Sequence, residues 1–133
     1  MRVITFGTFD VFHIGHVNLL KRAADEGDML IVGVSTDKLN MSKKGRNPIY
    51  NESDRTEILS SLKFVDYCFL EHSLEQKREY ILEHNAQKLV MGDDWEGKFD
   101  YLSDICEVKY LPRTPSVSTT EIIEVITSTR PRG

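Results

Sequence analysis

The stretch RVITFGTFDVFHIGH, residues 2–16, combines a strand pattern with two histidines that flank an Ile-Gly pair. Residues 2–6 form a short β-branched run that predicts a buried strand, and residues 16–27 have the apolar spacing of a helix with Gly27 as its C-terminal cap. His13 and His16 therefore stand between a strand and a helix, where backbone N–H groups can hold phosphate oxygens. A pair of hydrogen-bonded surface histidines is the alternative interpretation.

The rest of the chain repeats this alternation of strand and helix. Further strands are predicted over residues 29–35, 64–70, 88–92 and 106–111, and further helices over 51–63, 73–85 and 118–128. Ser73 and Gln76 are expected to form a capping box, and residues 36–50 are expected to be a mobile loop. The apolar runs lack strict alternation, so the strands are expected to be buried on both faces. The pattern predicts an α/β fold, a single Rossmann-like doubly wound domain with a central parallel five-stranded sheet that binds ligands at the carboxyl ends of its strands.

Length and composition limit the class of protein. The 133 residues fit one domain, assigned to residues 1–129 with a C-terminal tail at 130–133. A net charge of −4 argues against a general nucleic-acid binder. No run approaches the length of a membrane span or resembles a signal peptide, so we expect no membrane insertion and a cytoplasmic location. Cys68 and Cys106 are too few for a zinc motif or a disulfide framework and are expected to be buried reduced thiols.

Three other segments carry groups suited to anions or to a nucleotide. RTPSVSTT, residues 113–120, places a guanidinium and several hydroxyls directly after a strand, although capping of the next helix explains some of these hydroxyls equally well. KKGR, residues 43–46, is either a solvated basic loop or one that closes over an anionic substrate. MGDDWEGKFD, residues 91–100, follows a strand and is rich in acids, which a turn with capping Asp residues would also explain.

Together these motifs resemble the cytidylyltransferase branch of the HxGH nucleotidyltransferase superfamily, and within it the glycerol-3-phosphate cytidylyltransferases. GTFDVFHIGH, STDKLN, FVD, MGDDWEGKFD and LPRTPSVSTT occur in the family's order over nearly the whole chain. The resemblance implies the nucleotidyltransferase fold and transfer of a cytidylyl group from CTP to a small phosphomonoester, with sn-glycerol 3-phosphate the leading candidate. The products would be CDP-glycerol and pyrophosphate. It also implies Mg²⁺ bound with the CTP phosphates rather than in a dedicated protein site, a homodimer, and a role in teichoic-acid precursor synthesis.

The resemblance also assigns roles to individual residues. His13 and His16 would contact the phosphates in the transition state, Lys43 would bridge the acceptor phosphate and CTP, and Arg113 would hold the β- and γ-phosphates. Further nucleotide contacts are implied for Thr8, Phe9, Asp37, Lys63, Met91, Gly92, Asp94, Thr114, Ser118 and Thr119. Acceptor contacts are implied for Asp10, Lys43, Lys44 and Arg46.

The sequence departs from the family pattern at three places. The second loop lysine of the family is shifted, so that Lys44 or Arg46 replaces it. Lys63 stands where relatives carry an arginine, which keeps the charge but loses the planar fork. Pro115 and Ser116 replace a Glu-Gly pair and stiffen that loop.

Three alternatives stay open at this point. They are transfer to another small phosphate ester, an ATP-dependent adenylyltransferase, and a non-catalytic nucleotide-binding regulator. Residues 91–95 favour cytidine, and the presence of both histidines with Lys43 and Arg113 favours an enzyme.

Overall fold

The computed structural model describes residues 1–112 and 119–128, apart from the side chains of residues 121 and 128. Five parallel strands form one sheet in the order β3-β2-β1-β4-β5. The strands are β1 (Arg2–Gly7), β2 (Met29–Ser35), β3 (Tyr67–Glu71), β4 (Lys88–Gly92) and β5 (Glu107–Leu111). The order reverses on either side of β1, which confirms the predicted doubly wound α/β sheet of five strands.

The described residues contain five helices. They are α1 (Ile14–Ala24), α2 (Asp37–Lys44), α3 (Glu52–Ser60), α4 (Lys77–Glu83) and α5 (Thr119–Ser128), with 3₁₀ turns at Leu74–Gln76, Asp93–Trp95 and Asp100–Leu102. Of these helices, α1 and α3 pack on one face of the sheet and α4 on the other. Neighbouring residues of β1 point to opposite faces: Val3 packs in a cluster with Leu20 of α1 and Leu59 of α3, and Ile4 packs in a second cluster with Ile81 of α4. The three central strands, β1, β2 and β4, are therefore buried on both sides, as their continuous apolar runs predict, whereas the edge strands β3 and β5 are mostly half-buried.

The prediction of a loop over residues 36–50 is wrong for its first part, which forms α2. Thr36 caps the helix, because its hydroxyl accepts a hydrogen bond from the Leu39 N–H at 3.0 Å. Gly45 ends it in the left-handed region, at φ 74°, where a glycine carries no steric penalty. The three lysines between these caps are exposed helix positions, and the irregular part of the predicted loop after the helix is residues 45–50.

Two predicted helix caps are also wrong. Helix α1 ends at Ala24 with Asp25 as its C-cap, and Gly27 lies beyond it, where an added Cβ would meet the Met1 carbonyl oxygen at 2.6 Å. Gly27 thus permits a close approach of two backbone segments. Ser73 makes no side-chain cap; its hydroxyl donates to Glu75 Oε2 at 2.7 Å, and α4 begins only at Lys77 after a 3₁₀ turn.

Both cysteines are free thiols; the prediction of burial is confirmed for Cys106, whereas Cys68 is only half-buried. Within the described residues no helix is long and apolar enough to span a membrane.

Candidate active site

A cavity of about 670 Å³ opens at the carboxyl ends of β1 and β4, within the size range of small-molecule sites. It is bordered by the first turn of α1, the end of α2, the 3₁₀ turn after β4 and the start of α5. Most of the residues predicted for the site line it: Thr8, Phe9, Asp10, His13, His16, Lys43, Lys44, Arg46, Met91, Gly92, Asp94 and Thr119. Arg113, Thr114, Ser118 and the Pro115-Ser116 pair lie outside the described residues.

Asp37 and Lys63 are not among the described residues that line the cavity. Asp37 is the first residue of α2, and its carboxylate pairs with Arg55. Lys63 is exposed in the turn between α3 and β3, at the amino end of β3. The parallel sheet therefore separates Lys63 from the end where the cavity opens, and its contact with a nucleotide stays a prediction.

The loop between β1 and α1 holds a backbone conformation that is unusual for its residue types. Phe9 has φ 54° and the β-branched Val11 has φ 46°. Such conformations cost of order 1–3 kcal/mol each and persist only where the surroundings enforce them. Gly7 contributes, because an added Cβ would lie 2.7 Å from the Phe9 ring, which is buried against this position. The loop is therefore pre-shaped before any ligand arrives.

His13 and His16 cap the N-terminus of α1 reciprocally. Nδ1 of His13 accepts a hydrogen bond from the Gly15 N–H at 3.0 Å, and Nδ1 of His16 accepts one from the His13 N–H at 3.2 Å. A neutral imidazole that accepts at Nδ1 carries its hydrogen at Nε2. Capping thus fixes the tautomer of both rings and leaves each with an Nε2–H donor on the cavity side of the helix start.

The electrostatics keep both rings neutral. Burial and the neighbouring His13 lower the pKa of His16 to about 3, although the Asp10 carboxylate acts in the opposite direction. Burial also lowers the pKa of His13. At neutral pH the site therefore presents two uncharged donors, as a position at a helix N-terminus also favours.

Asp10 organises the loop that follows α2. Its carboxylate accepts backbone N–H groups from Ile49 at 2.7 Å, from Tyr50 at 2.8 Å and from Val11 at 3.0 Å. The Thr119 hydroxyl donates to the Asp10 carbonyl oxygen at 2.8 Å, so the start of α5 is tied to the same point. These bonds give Asp10 a positioning role, and its direct contact with an acceptor stays a prediction.

Arg55 supports the elements around the cavity, and the sequence analysis did not single it out. It is fully buried, and its guanidinium donates to the Tyr50 carbonyl at 2.9 Å, to the Thr8 carbonyl at 2.9 Å and to the Ser35 carbonyl at 2.8 Å. It also pairs with Asp37 at 2.6 Å. One side chain therefore joins the ends of β1 and β2 to α2 and to the loop before α3. The sequence does contain a sign of this burial. Arg55 stands four residues before Leu59, so a charged residue lies on the apolar side of a predicted helix.

Basic side chains line the α2 side of the cavity. Partial desolvation, together with the nearby charges of Lys44, Lys77 and Arg55, lowers the pKa of Lys43, while Glu71 acts in the opposite direction. Desolvation and the charge of Arg46 likewise lower the pKa of Lys44. Lys43, Lys44 and Arg46 thus form a cluster of cations at the cavity, an arrangement that favours binding of a polyanion.

The opposite side is formed by β4 and the turn that follows it. Met91 is buried at the strand end, and a Cβ added to Gly92 would meet nothing within 4 Å, so the chain is open to the cavity there. Asp94 and Trp95 follow in the 3₁₀ turn, with the Trp95 ring 5.6 Å from that of Phe99. This side offers space, an aromatic surface and a carboxylate for a nucleoside.

The donor set of this cavity does not fit a resident metal. Among the described residues, no three His, Cys, Asp or Glu side chains are grouped so as to hold an ion. The carboxylate of Asp10 is already engaged by three backbone N–H groups. A divalent ion would have to arrive with the phosphates of a ligand, as Mg²⁺ commonly does.

Known proteins match this chain over most of its length. The sequence model described as cytidylyltransferase-like matches residues 4–125. A glycerol-3-phosphate cytidylyltransferase of Bacillus subtilis (strain 168) is 50% identical over 125 residues, which cover 94% of this chain and 96% of that protein. The protein of the same name in Staphylococcus aureus (strain NCTC 8325 / PS 47) is 46% identical, with 91% of each chain covered. Among solved structures, the lipopolysaccharide core biosynthesis protein from Thermoplasma volcanium GSS1 gives a TM-score of 0.72 at 26% identity, covering 86% of this chain and 98% of that one.

Proposed function

The chain belongs to the cytidylyltransferase-like family of nucleotidyltransferases, and on that premise we propose that it transfers the cytidylyl group of CTP to sn-glycerol 3-phosphate. A phosphate oxygen of the acceptor attacks the α-phosphorus of CTP in line. The new oxygen–phosphorus bond forms as the bond from the α-phosphorus to the bridging oxygen breaks, and the electron pair leaves with pyrophosphate. The product is CDP-glycerol.

The observation that carries this proposal is the paired tautomer of His13 and His16. Both Nδ1 atoms are occupied by backbone N–H groups, so two neutral Nε2–H donors stand side by side at a helix N-terminus. Charge grows on the equatorial oxygens of the α-phosphorus in the transition state, and fixed donors stabilise it without reorganisation. No covalent intermediate is required, because orientation of the two substrates and charge stabilisation supply the catalysis.

The basic side of the cavity suits the phosphates of both substrates. Lys43 would bridge the acceptor phosphate and CTP, while Lys44 or Arg46 would neutralise the acceptor phosphate. Arg113, Thr114 and Ser118 would hold the β- and γ-phosphates together with Thr119, whose anchoring to Asp10 brings the start of α5 to the cavity. Mg²⁺ would enter as part of the nucleotide substrate, bound by the phosphates.

The nucleoside would occupy the β4 side, against Met91, Gly92 and Asp94. Asp37 is already paired with Arg55. We therefore propose that it stabilises α2, in preference to a contact with the ribose. The cytoplasmic location and the role in teichoic-acid precursor synthesis stay predictions from the resemblance.

The deciding experiment measures pyrophosphate release with magnesium, crossing CTP or ATP against glycerol 3-phosphate and other small phosphomonoesters. Turnover only with CTP and glycerol 3-phosphate is the expected result. Turnover with CTP and a different ester would confirm cytidylyl transfer and assign another acceptor. Turnover with ATP but not with CTP would show that the chain is an adenylyltransferase. CTP binding without turnover of any ester would favour a regulator.

We also propose that the chain is a homodimer, with the exposed turn that holds Lys63 near the interface. Sedimentation velocity should give about twice the monomer mass of 15.3 kDa. A single species at the monomer mass would contradict this.

A further inference from the structure

A tyrosine of β5 reaches the segment that follows β4, and the reaction outlined above makes no use of it. Tyr110 stands directly beside Met91 in the parallel ladder of β4 and β5. Its hydroxyl accepts a hydrogen bond from the Phe99 N–H at 2.9 Å and donates one to Oδ1 of Asp100 at 2.9 Å. Because a hydroxyl can accept and donate at once, one side chain joins two consecutive residues of that segment to the sheet.

The segment itself, residues 93–102, is shaped by short-range backbone bonds. The N–H groups of Glu96, Lys98 and Leu102 each donate to the carbonyl three residues earlier, at 3.0, 2.9 and 3.0 Å. Such bonds form successive turns, but they do not determine where the turns lie relative to the sheet. The hydroxyl of Tyr110 adds that constraint, because it extends from a strand.

Phe99 transmits this constraint to the cavity. Its ring is buried, lines the cavity and lies with its centre 5.6 Å from that of the Trp95 ring. Trp95 also lines the cavity and is 42% exposed, so few contacts hold it apart from the one with Phe99. Trp95 and Phe99 together form an aromatic wall of the cavity, and the Tyr110 hydroxyl fixes the backbone of that wall at Phe99.

Tyr110 is itself held by the core. Its ring packs against the buried cluster that contains Ile4 and Ile81. Desolvation and the neighbouring Asp100 carboxylate raise the pKa of Tyr110, although the Phe99 N–H acts in the opposite direction. The hydroxyl therefore stays protonated throughout the neutral range and remains a donor to Asp100.

We propose that Tyr110 is a positioning residue for the nucleoside, because its hydroxyl holds the aromatic wall in the place where the wall borders the bound nucleotide. This rests on the proposed cytidylyl transfer, in which the nucleoside occupies the β4 side of the cavity. A wall fixed in advance loses less conformational entropy when a ligand binds, so its order contributes to the affinity for CTP. The acceptor phosphate is assigned to the α2 side, and its binding should not depend on Tyr110.

The test removes the hydroxyl and keeps the ring, in Tyr110→Phe. Calorimetric titration with CTP and Mg²⁺, without an acceptor, should give a Kd at least about 5-fold above that of the wild type, the scale of one lost hydrogen bond. The KM for CTP should rise by a similar factor, whereas kcat and the KM for glycerol 3-phosphate should stay within about 2-fold. Trp95 is the only tryptophan of the chain, so its fluorescence anisotropy reports on the aromatic wall without any ligand and should fall in this variant.

Tyr101→Phe is the matched control. Tyr101 belongs to the same segment, is exposed, and is not among the described residues that line the cavity, so this variant should keep the wild-type values. If Tyr110→Phe does not fold, Asp100→Ala removes the acceptor of the hydroxyl and should raise the Kd for CTP by at least about 2-fold.

Two results would overturn the proposal. One is an unchanged Kd for CTP in the folded variant, even with a lower anisotropy of Trp95. The other is an equal rise of both KM values, which a general loosening of the protein would produce. A wild-type chain that binds CTP but does not turn over glycerol 3-phosphate would contradict the proposed function alone, since the calorimetric comparison needs no acceptor. A wild-type chain that binds no CTP would overturn both.

Discussion

The imidazole rings of His13 and His16 stack with their centres 3.8 Å apart and at 25° to one another. Two cationic rings would not pack in this way, and the reciprocal capping of α1 requires both Nδ1 atoms to be unprotonated acceptors. The same hydrogen bonds that begin the helix thus determine which nitrogen carries the proton. Local folding and the chemistry of the site are therefore parts of one arrangement.

Loss of the His16 donor should reduce turnover far more than substrate binding. We expect His16→Ala to lower kcat by at least about 10²-fold, the typical effect of removing one transition-state donor. Steady-state kinetics with CTP and glycerol 3-phosphate measures this, with circular dichroism to check the fold. His72→Ala, at an exposed histidine that does not line the cavity, is the matched control. Near-normal turnover of His16→Ala would contradict the assigned role.

The low pKa of His16 predicts a pH-dependent stability of definite sign. Its pKa falls from 6.5 to about 3 in the folded state, mainly because the ring is buried. Between these values the unfolded chain binds the extra proton, so the His16 contribution is complete above pH 6.5 and is lost as the pH falls toward 3. The slope from this group approaches about 1.4 kcal/mol per pH unit. Urea unfolding from pH 4 to 7 should show a flatter profile for His16→Asn than for the wild type, whereas His72→Asn should match the wild type. Parallel profiles for His16→Asn and the wild type would contradict the low pKa of His16.

Arg55 and Arg78 offer a comparison of a buried and an exposed ion pair. Arg55→Met leaves three backbone carbonyls and the Asp37 carboxylate without their donor in a buried place, so we expect a loss of about 3–5 kcal/mol in the free energy of unfolding. Arg78 pairs with Asp104 in solvent, and Arg78→Met should unfold close to the wild-type midpoint. Chemical denaturation of both variants measures the contrast. Equal losses would show that Arg55 does not anchor the strand ends.

Much of the fold was predictable because each strand is a continuous apolar run of its own. Residues 29–35 and 88–92 form strands with the predicted limits, since burial on both faces leaves a signal in every residue. The strand predicted over residues 64–70 exists, but it begins at Tyr67. The predicted start was wrong because Phe64 and Val65 pack in the core from the segment that precedes β3. Apolar side chains report burial, and they do not report where the ladder of hydrogen bonds begins.

The features that the sequence did not predict depend on contacts between distant residues. Helix α2 has few apolar residues, and its stability comes from the cap at Thr36 and from Arg55, eighteen residues after Asp37. The Glu71–Lys77 pair joins a strand end to a helix start across a 3₁₀ turn, a geometry without a sequence period. The placement of His13, His16 and Lys43 at the cavity was predictable by contrast, since short motifs at a strand end and a helix end carry them.

The Asp10 carboxylate should control the order of the loop before α3. Asp10→Asn replaces one acceptor oxygen by an NH₂ group, which cannot accept the N–H of Ile49 or Tyr50 and leaves one of these amides without a partner. We expect the amide hydrogens of Ile49 and Tyr50 to exchange at least about 10-fold faster, in line with the loss of one charge-assisted hydrogen bond, while amides of β2 keep their rates. Hydrogen exchange followed by NMR resolves these positions individually. Asp25→Asn, at an exposed residue beyond α1, should change neither set, so a general loosening of the protein is distinguished from a local one. The same variant should also weaken acceptor binding. Arg46 lies in the loop that Asp10 holds, and Lys44 lies directly before it, and both are proposed to contact the acceptor phosphate. The KM for the acceptor should therefore rise in Asp10→Asn together with the exchange rates. Faster exchange without any change in KM would mean that the loop is held by Asp10 but does not bind the acceptor.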